Sequence, residues 1–169
     1  MNNILFSLRE HVEIDDICLN DINHLKDSIW HYGLRRQSSW IQENTCSQDI
    51  HVLGYNGIEL VAYANLVKRQ VSVDSIRVID VWGVGNVCVS AKGTGRGRLL
   101  MKFINQFLFD TNSVGALLCK SSLEQFYSKN GWILQDTTLS HSIKSNISFM
   151  TLNFPLISYR NLEIIGKLF

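Results

Sequence analysis

The feature that most constrains this chain is the stretch Val87–Arg98, which reads VCVSAKGTGRGR. Its apolar start predicts the end of a β-strand, its three glycines predict a tight turn, and a helix is predicted from Arg98 onward. Backbone N–H groups at such a helix N-terminus, with cations beside them, can hold a phosphate group. Glycine-rich turns are often only turns, so the surrounding elements must decide between the two interpretations.

Length and composition narrow the class of protein. A chain of 169 residues with 46% hydrophobic residues suits one globular domain, residues 1–169. A net charge of +1 argues against a nucleic-acid partner. The four cysteines are widely spaced without a metal-ligand pattern, so no metal is expected. No signal peptide or membrane-length apolar run is evident, which predicts a cytoplasmic protein without a membrane partner.

The first fifty residues predict one strand and two helices. We expect the strand over residues 4–8, and Asp21 is the expected N-cap of a helix that runs toward Leu34. Residues 35–39 are expected to form a loop, and Trp40 to begin a second, short helix.

The pattern turns to β-structure at Ile50. Asn56-Gly57 between two apolar runs is the strongest hairpin signal in the chain. The second strand of this hairpin is expected to reach Val73, and after a turn at Asp74-Ser75 a long strand is expected over residues 76–89.

The second half alternates helices and strands. A helix over residues 98–109 between two strands requires a parallel pairing with a crossover. Ser121 or Ser122 is expected to cap a further helix that ends near Lys129. The remaining predicted strands cover residues 114–119, 132–134 and 147–154. The whole pattern predicts an α/β (α+β) fold with a largely antiparallel sheet and one parallel crossover.

Two motifs carry a resemblance to a known family. KGTGRG at residues 92–97 and FYSKNGW at residues 126–132 resemble, in order and spacing, two motifs of the GCN5-related N-acetyltransferases. The closest pattern is that of the aminoglycoside 2′-N-acetyltransferases. The resemblance implies a mixed, mostly antiparallel sheet with a splayed parallel strand pair and helices on both faces. It also implies an acyltransferase that uses acetyl-CoA.

The resemblance also assigns residues to the coenzyme. The end of the long strand would bind the pantetheine arm and the glycine turn the pyrophosphate, while two later residues correspond to further coenzyme contacts. These residues are Val87, Cys88 and Val89, then Lys92, Gly93, Thr94, Gly95, Arg96, Gly97 and Arg98, and finally Lys120 and Tyr127. Lys92 stands where the family usually has Arg or Gln, and Lys120 where it often has Asn.

For catalysis, the resemblance implies that the Val87 N–H donates to the thioester carbonyl and that Tyr127 protonates the leaving thiolate. Gly85 stands where the family usually has the general-base Glu, so the residue that acts as general base is not assigned. The candidates are Asp80 on the same strand, His51, Glu59 and Asp49, of which the last two are expected to be exposed; water is the remaining alternative. Trp82, Tyr63 and Trp40 either line an acceptor cleft or belong to the core.

The predicted function is therefore acetylation of a small-molecule primary amine, such as an amino sugar. Two alternatives stay open: a protein or peptide amine as acceptor, and a non-catalytic acyl-CoA-binding module with the same fold. Exposed sheet edges tend to be paired, which also makes a homodimer compatible with this pattern.

Overall fold

The computed structural model describes residues 4–135, 146–155 and 159–168. These residues form eight strands and four α-helices, with single 3-10 turns before α1 and before α4. The elements are β1 (Leu5–Glu10), α1 (Asp16–Trp30), α2 (Leu34–Asn44), β2 (Ile50–Asn56), β3 (Glu59–Val73), β4 (Arg77–Val89), α3 (Arg96–Asp110), β5 (Gly115–Lys120), α4 (Glu124–Ser128), β6 (Ile133–Leu134), β7 (Ile147–Leu152) and β8 (Leu162–Ile165).

The sheet is mixed and mostly antiparallel, as the sequence predicts. Its strands follow the order β1-β2-β3-β4-β5-β7-β6, and β8 pairs with β3. Strands β4 and β5 are parallel, with Trp82 opposite Gly115. The other strand pairs with a defined register are antiparallel. The predicted α/β class and its parallel crossover through α3 are therefore confirmed.

The described chain groups into two compact units, through which β3, β4 and α3 pass as continuous elements. The first unit comprises residues 1–67 and 85–104, and the second comprises residues 68–84 and 105–169. Each has its own apolar core. In the first unit a cluster of buried residues consists of Ile22, Leu25, Ile41, Leu53, Leu60, Tyr63 and Cys88. In the second unit a cluster consists of Val71, Val73, Val81, Ala116, Phe149, Leu162 and Ile164.

Both N-terminal helices differ from their predicted bounds. Helix α1 begins at Asp16, because the Asp15 carboxylate accepts the Cys18 N–H at 2.8 Å and thereby caps the helix. Asp21 therefore lies inside α1 instead of capping it. Residues 35–39, expected to be a loop, belong to α2, which begins after Gly33 and buries Gln37 and Ile41 on one face.

Three smaller differences concern turns and the tail. The hairpin after β2 turns at Gly57 and Ile58, and Gly57 has a φ of 63°. Ser121 and Ser122 lie within a 3-10 turn that has no side-chain cap. The tail after Pro155 contains β8, which the alternation of buried and exposed residues over Leu162–Ile165 explains.

The cysteines are unpaired and differ in exposure. Cys46 is exposed, Cys18 is half-buried, and Cys88 and Cys119 are buried. Across the described ranges, no group of three or more His, Cys, Asp or Glu side chains is arranged to hold a metal ion. None of the helices described is both long enough and apolar enough to cross a membrane.

Candidate functional site

The glycine turn joins β4 to α3 within the first unit. The Ser90 N–H donates to the Val61 carbonyl at 3.0 Å, which anchors the chain as it leaves β4. Gly93 and Gly95 have φ values of 77° and 82°, a left-handed conformation that L side chains rarely adopt. No atom lies within 4 Å of where a Cβ on either glycine would be, so open space faces this backbone.

Helix α3 begins directly after this turn and is fifteen residues long. Its Leu99 N–H donates to the Gly95 carbonyl at 3.1 Å. The N–H groups of the preceding first turn have no intrahelical acceptor, as at every helix N-terminus. Arg96 donates one bond to the Ser90 hydroxyl, but its buried Nε has no partner among the described residues. Open backbone, free N–H groups and an unused guanidinium donor together fit a pyrophosphate.

Strand β4 has a left-handed residue just before the predicted oxyanion donor. Asn86 has a φ of 51°, a left-handed conformation in a strand interior, and its Nδ2 donates to the Asn65 Oδ1 at 2.9 Å. Asn is among the few residues that tolerate this conformation. Such strain inside a strand is typical of functional sites. The sequence analysis missed Asn86, although the dipeptide Gly85-Asn86 in an apolar strand is a recognisable signal.

The two later residues that the resemblance assigned to the coenzyme, Lys120 and Tyr127, lie in the second unit. Lys120 is the exposed last residue of β5, and Tyr127 is buried on α4. Burial, and then the Cys119 thiol, raises the pKa of the Tyr127 phenol above its ordinary value. The Tyr127 carbonyl accepts the N–H groups of Asn130 and Trp132 at 2.9 and 3.2 Å, which fixes the turn after α4.

The four candidate bases have different surroundings. Asp80 is exposed in the second unit, where its carboxylate accepts a hydrogen bond from Gln70 Nε2 at 2.9 Å. It lines an open groove of about 770 Å³ together with Lys68, Arg69 and Trp82. In the first unit Glu59 is exposed as expected, but Asp49 is not. Asp49 is buried, and its carboxylate accepts the Cys46 N–H at 2.8 Å.

His51 is fully buried in a chain of three rings. Its Nε2 lies 3.0 Å from His11 Nδ1, and its Nδ1 lies 2.9 Å from the Tyr63 hydroxyl. Burial, followed by the charges of His11 and Lys26, lowers the pKa of His51 to about 3. Tyr63, which the sequence left open between cleft and core, is a fully buried core residue.

Lys26 is a residue that the sequence analysis did not single out. It is only 1% exposed, and its Nζ lies 4.7 Å from the centre of the Trp40 ring. Burial lowers the pKa of Lys26 to about 8, an effect partly offset by the nearby Cys88 thiol. Lys26 lies on the face of α1 that includes the apolar residues Ile22 and Leu25. Its helical spacing from them was the sequence signal that indicated burial.

Comparison with known proteins identifies the fold. No protein-family model and no curated protein matches the sequence. Among solved structures, Escherichia coli ElaA is 20% identical with a TM-score of 0.65, over 88% of this chain and 98% of its own. An acyl-CoA N-acyltransferase from Pseudomonas aeruginosa is 15% identical with a TM-score of 0.64, over 88% and 97%. The chain has the fold of the GCN5-related N-acetyltransferases.

A third solved structure bears on the predicted subgroup. It is an aminoglycoside 6′-N-acetyltransferase complexed with coenzyme A, 12% identical with a TM-score of 0.64, over 90% of this chain and 99% of its own. The resemblance predicted from the two motifs is thus confirmed at the level of the fold. An aminoglycoside acetyltransferase shares that fold, although this enzyme acts at position 6′ and the sequence pattern pointed to the 2′ subgroup.

Proposed function

We propose that this chain is an N-acetyltransferase that transfers the acetyl group of acetyl-CoA to a primary amine of a small molecule, such as an amino sugar. The observation that carries the proposal is the open glycine turn at the start of α3, directly after a strand in which Asn86 has a left-handed conformation. In a chain with this fold, that arrangement supports a site for a pyrophosphate beside an acyl group.

The turn residues would hold the coenzyme. The N–H groups of the first turn of α3 would bind pyrophosphate oxygens, and Arg96 has an unpartnered Nε to add. The proposed coenzyme contacts are Val87, Cys88, Val89, Lys92, Gly93, Thr94, Gly95, Arg96, Gly97, Arg98, Lys120 and Tyr127.

Bound acetyl-CoA would supply an activated thioester. The Val87 N–H would donate to the carbonyl oxygen as negative charge develops there, an interaction of the kind worth about 3–4 kcal/mol of barrier. As the new C–N bond forms and the C–S bond breaks, the Tyr127 hydroxyl would give its proton to the departing sulfur. The attacking amine loses one proton, so the products are an amide and a thiol.

The acceptor of that amine proton stays a hypothesis. Asp80 is the proposed base on its own strand, but it lies seven residues before Val87. At about 3.3 Å per residue in an extended strand, this corresponds to about 23 Å. Release of the proton to water is therefore the alternative. A lost lower limb of the pH–rate profile in Asp80→Asn would support Asp80, and an unchanged profile would support water.

Coenzyme binding can be tested with two matched glycine variants. Gly93→Ala and Gly57→Ala both place a Cβ in open space at a positive φ, so each costs roughly 1–2 kcal/mol of strain. Isothermal titration should show that wild type binds acetyl-CoA with a Kd of tens of micromolar or tighter. We expect Gly93→Ala to weaken binding at least tenfold and Gly57→Ala to leave it unchanged. An equal effect of both variants would contradict a phosphate site at the turn.

The acid role can be tested with Tyr127→Phe. We expect kcat to fall about 10²–10⁴-fold, as on loss of a general acid, while the KM for acetyl-CoA changes little. Tyr32→Phe, at an exposed position on the first unit, is the matched control and should behave as wild type. An unaltered kcat in Tyr127→Phe, under conditions where chemistry is rate-limiting, would remove the acid assignment.

A thiol-release assay separates the proposal from its alternatives. Release with small amines supports the proposed function, and release only with peptides supports a protein acceptor. Binding of acetyl-CoA without release across both panels would support the non-catalytic module, for which Gly85 in place of the usual Glu is the argument. The predicted homodimer and cytoplasmic location stay predictions.

A further inference from the structure

The first unit contains three buried side chains with unused hydrogen-bond donors. Lys26 Nζ, Gln37 Nε2 and Asn65 Nδ2 have no partner among the described residues, and the three side chains are 1%, 3% and 0% exposed. Buried donors without acceptors are rare and costly in native proteins, most of all when charged. Among the side chains that the structure describes, the same unit has one buried acceptor without a partner, Asn23 Oδ1, and one acceptor does not satisfy three donors, so an acceptor from outside the chain is needed.

These three side chains belong to one neighbourhood. Lys26 acts electrostatically on both Cys88 and His51. Asn65 lies directly opposite His51 in the β2–β3 pairing. Gln37 lies one helical turn before Trp40, whose ring covers the Lys26 ammonium.

The charge of this neighbourhood is positive. Burial raises the pKa of the Cys88 thiol to about 12 and lowers that of His51 to about 3, so both are neutral near pH 7. The hydroxyl of Tyr63 stays protonated, because burial also raises its pKa. Of these groups the Lys26 ammonium therefore carries the charge, and it interacts electrostatically with Cys88, the residue next to Val87.

We infer that Lys26 binds a carboxylate of the acceptor, with Gln37 and Asn65 as additional donors, so that the acceptor is an amine that also carries a carboxylate. This inference rests on the proposed function and narrows its substrate class. The coenzyme phosphates are not proposed to bind Lys26, because their proposed contacts lie in the turn at residues 92–98. A carboxylate is planar, accepts several N–H donors and matches one ammonium in charge.

The Trp40 ring covers the Lys26 ammonium at this site. The ring is half-buried and lies over an ammonium that solvent does not reach. An entering carboxylate would displace the ring and replace a cation–π contact by a charge-assisted hydrogen bond, which is the stronger interaction. Binding should therefore change tryptophan emission.

The inference is tested with α-amino acids, each paired with its own carboxamide, in the thiol-release assay. The carboxamide has the less basic amine, so its nucleophilic neutral form is more abundant, and any preference for the acid must come from binding. We expect kcat/KM at least tenfold higher for the acids in wild type. This ratio should fall to about one in Lys26→Met and persist in Lys26→Arg. It should also persist in the control Lys102→Met, which changes an exposed lysine of α3. A ratio near one in wild type, or an unchanged ratio in Lys26→Met, overturns the inference.

A second readout does not need turnover. The N-acetyl amino acids, as products, should change the tryptophan emission of wild type but not of Lys26→Met, and their carboxamides should change neither. Lys26→Met should also unfold at a higher temperature than wild type, because it replaces a buried ammonium that has no hydrogen-bond acceptor among the described residues by an apolar side chain of similar size. A lower midpoint together with an unchanged emission response would assign Lys26 a structural role. Failure to bind acetyl-CoA would instead refute the proposed function.

Discussion

His51 lies between two ring partners, His11 and Tyr63, and close to the charge of Lys26. Its pKa, about 3 in the folded protein, is below the ordinary value of 6.5. The unfolded chain therefore binds the extra proton first as the pH falls. The stability that comes from this histidine is complete above pH 6.5 and is lost progressively toward pH 3, with a slope of up to about 1.4 kcal/mol per pH unit.

We expect urea denaturation to show this slope between pH 6.5 and 5 in wild type and to show it weakened in His51→Gln. Glutamine keeps a hydrogen-bonding side chain but has no proton to take up in this range. His24→Gln is the matched control, because His24 lies exposed on α1. The same slope in all three proteins would show that His51 is not held neutral by its burial.

At the scale of the elements, the packing of β5 against Leu108 and Trp132 depends on one glycine, Gly115. A Cβ on Gly115 would lie 2.7 Å from Leu108 Cδ1 on α3 and 2.8 Å from the Trp132 ring. Both distances are shorter than real contacts, so in Gly115→Ala the Leu108 side chain and the Trp132 ring must shift. We expect a loss of about 1–3 kcal/mol in the free energy of unfolding, measured with urea. In a double-mutant cycle, Leu108→Ala should relieve part of this loss; strict additivity would locate the clash elsewhere.

The elements from Ile50 onward could largely be predicted from the sequence, because alternating apolar residues and turn residues determine strand bounds locally. Helix α2 was predicted only from Trp40 onward, since its residues are mostly polar and only Gln37 and Ile41 are buried. Its helical state depends on packing against α1. The start of α1 was also missed, because Asp15 and Asp21 are equally good caps by residue type, and the bond from the Cys18 N–H decides.

The glycine turn was predictable because its positive φ values at Gly93 and Gly95 are a backbone conformation that favours glycine. Lys26 and the Asn65–Asn86 pair could not be predicted from the sequence. Lys26 stands out because it is buried without a hydrogen-bond partner among the described residues, and the two asparagines because they bond to each other. Those properties arise only when β2, β3 and the two N-terminal helices come together. The late motif indicated Tyr127, but its raised pKa also depends on packing.

At the scale of the whole molecule, two cores share three continuous elements. Because β3, β4 and α3 each pass through both units, we expect one cooperative unfolding transition. Ile22→Val and Ile164→Val make the same change in the first and second core, and each should cost about 0.5–1.5 kcal/mol. Both should lower one common midpoint, followed by circular dichroism and by tryptophan fluorescence. Separate transitions, each sensitive to one variant, would mean that the units unfold independently.

The exposure of Cys46 has a practical consequence for measuring activity. A thiol-reactive dye that follows coenzyme release would first react with the enzyme itself, giving a rapid burst of one equivalent per chain from Cys46. Cys18, Cys88 and Cys119 should contribute little to that burst, because burial raises the pKa of all three thiols and keeps them protonated. The size of the burst therefore measures the concentration of folded chains. Unfolded enzyme would give a larger burst, because all four of its thiols are accessible to the dye. Cys46→Ser removes the burst and leaves only the steady release that turnover produces.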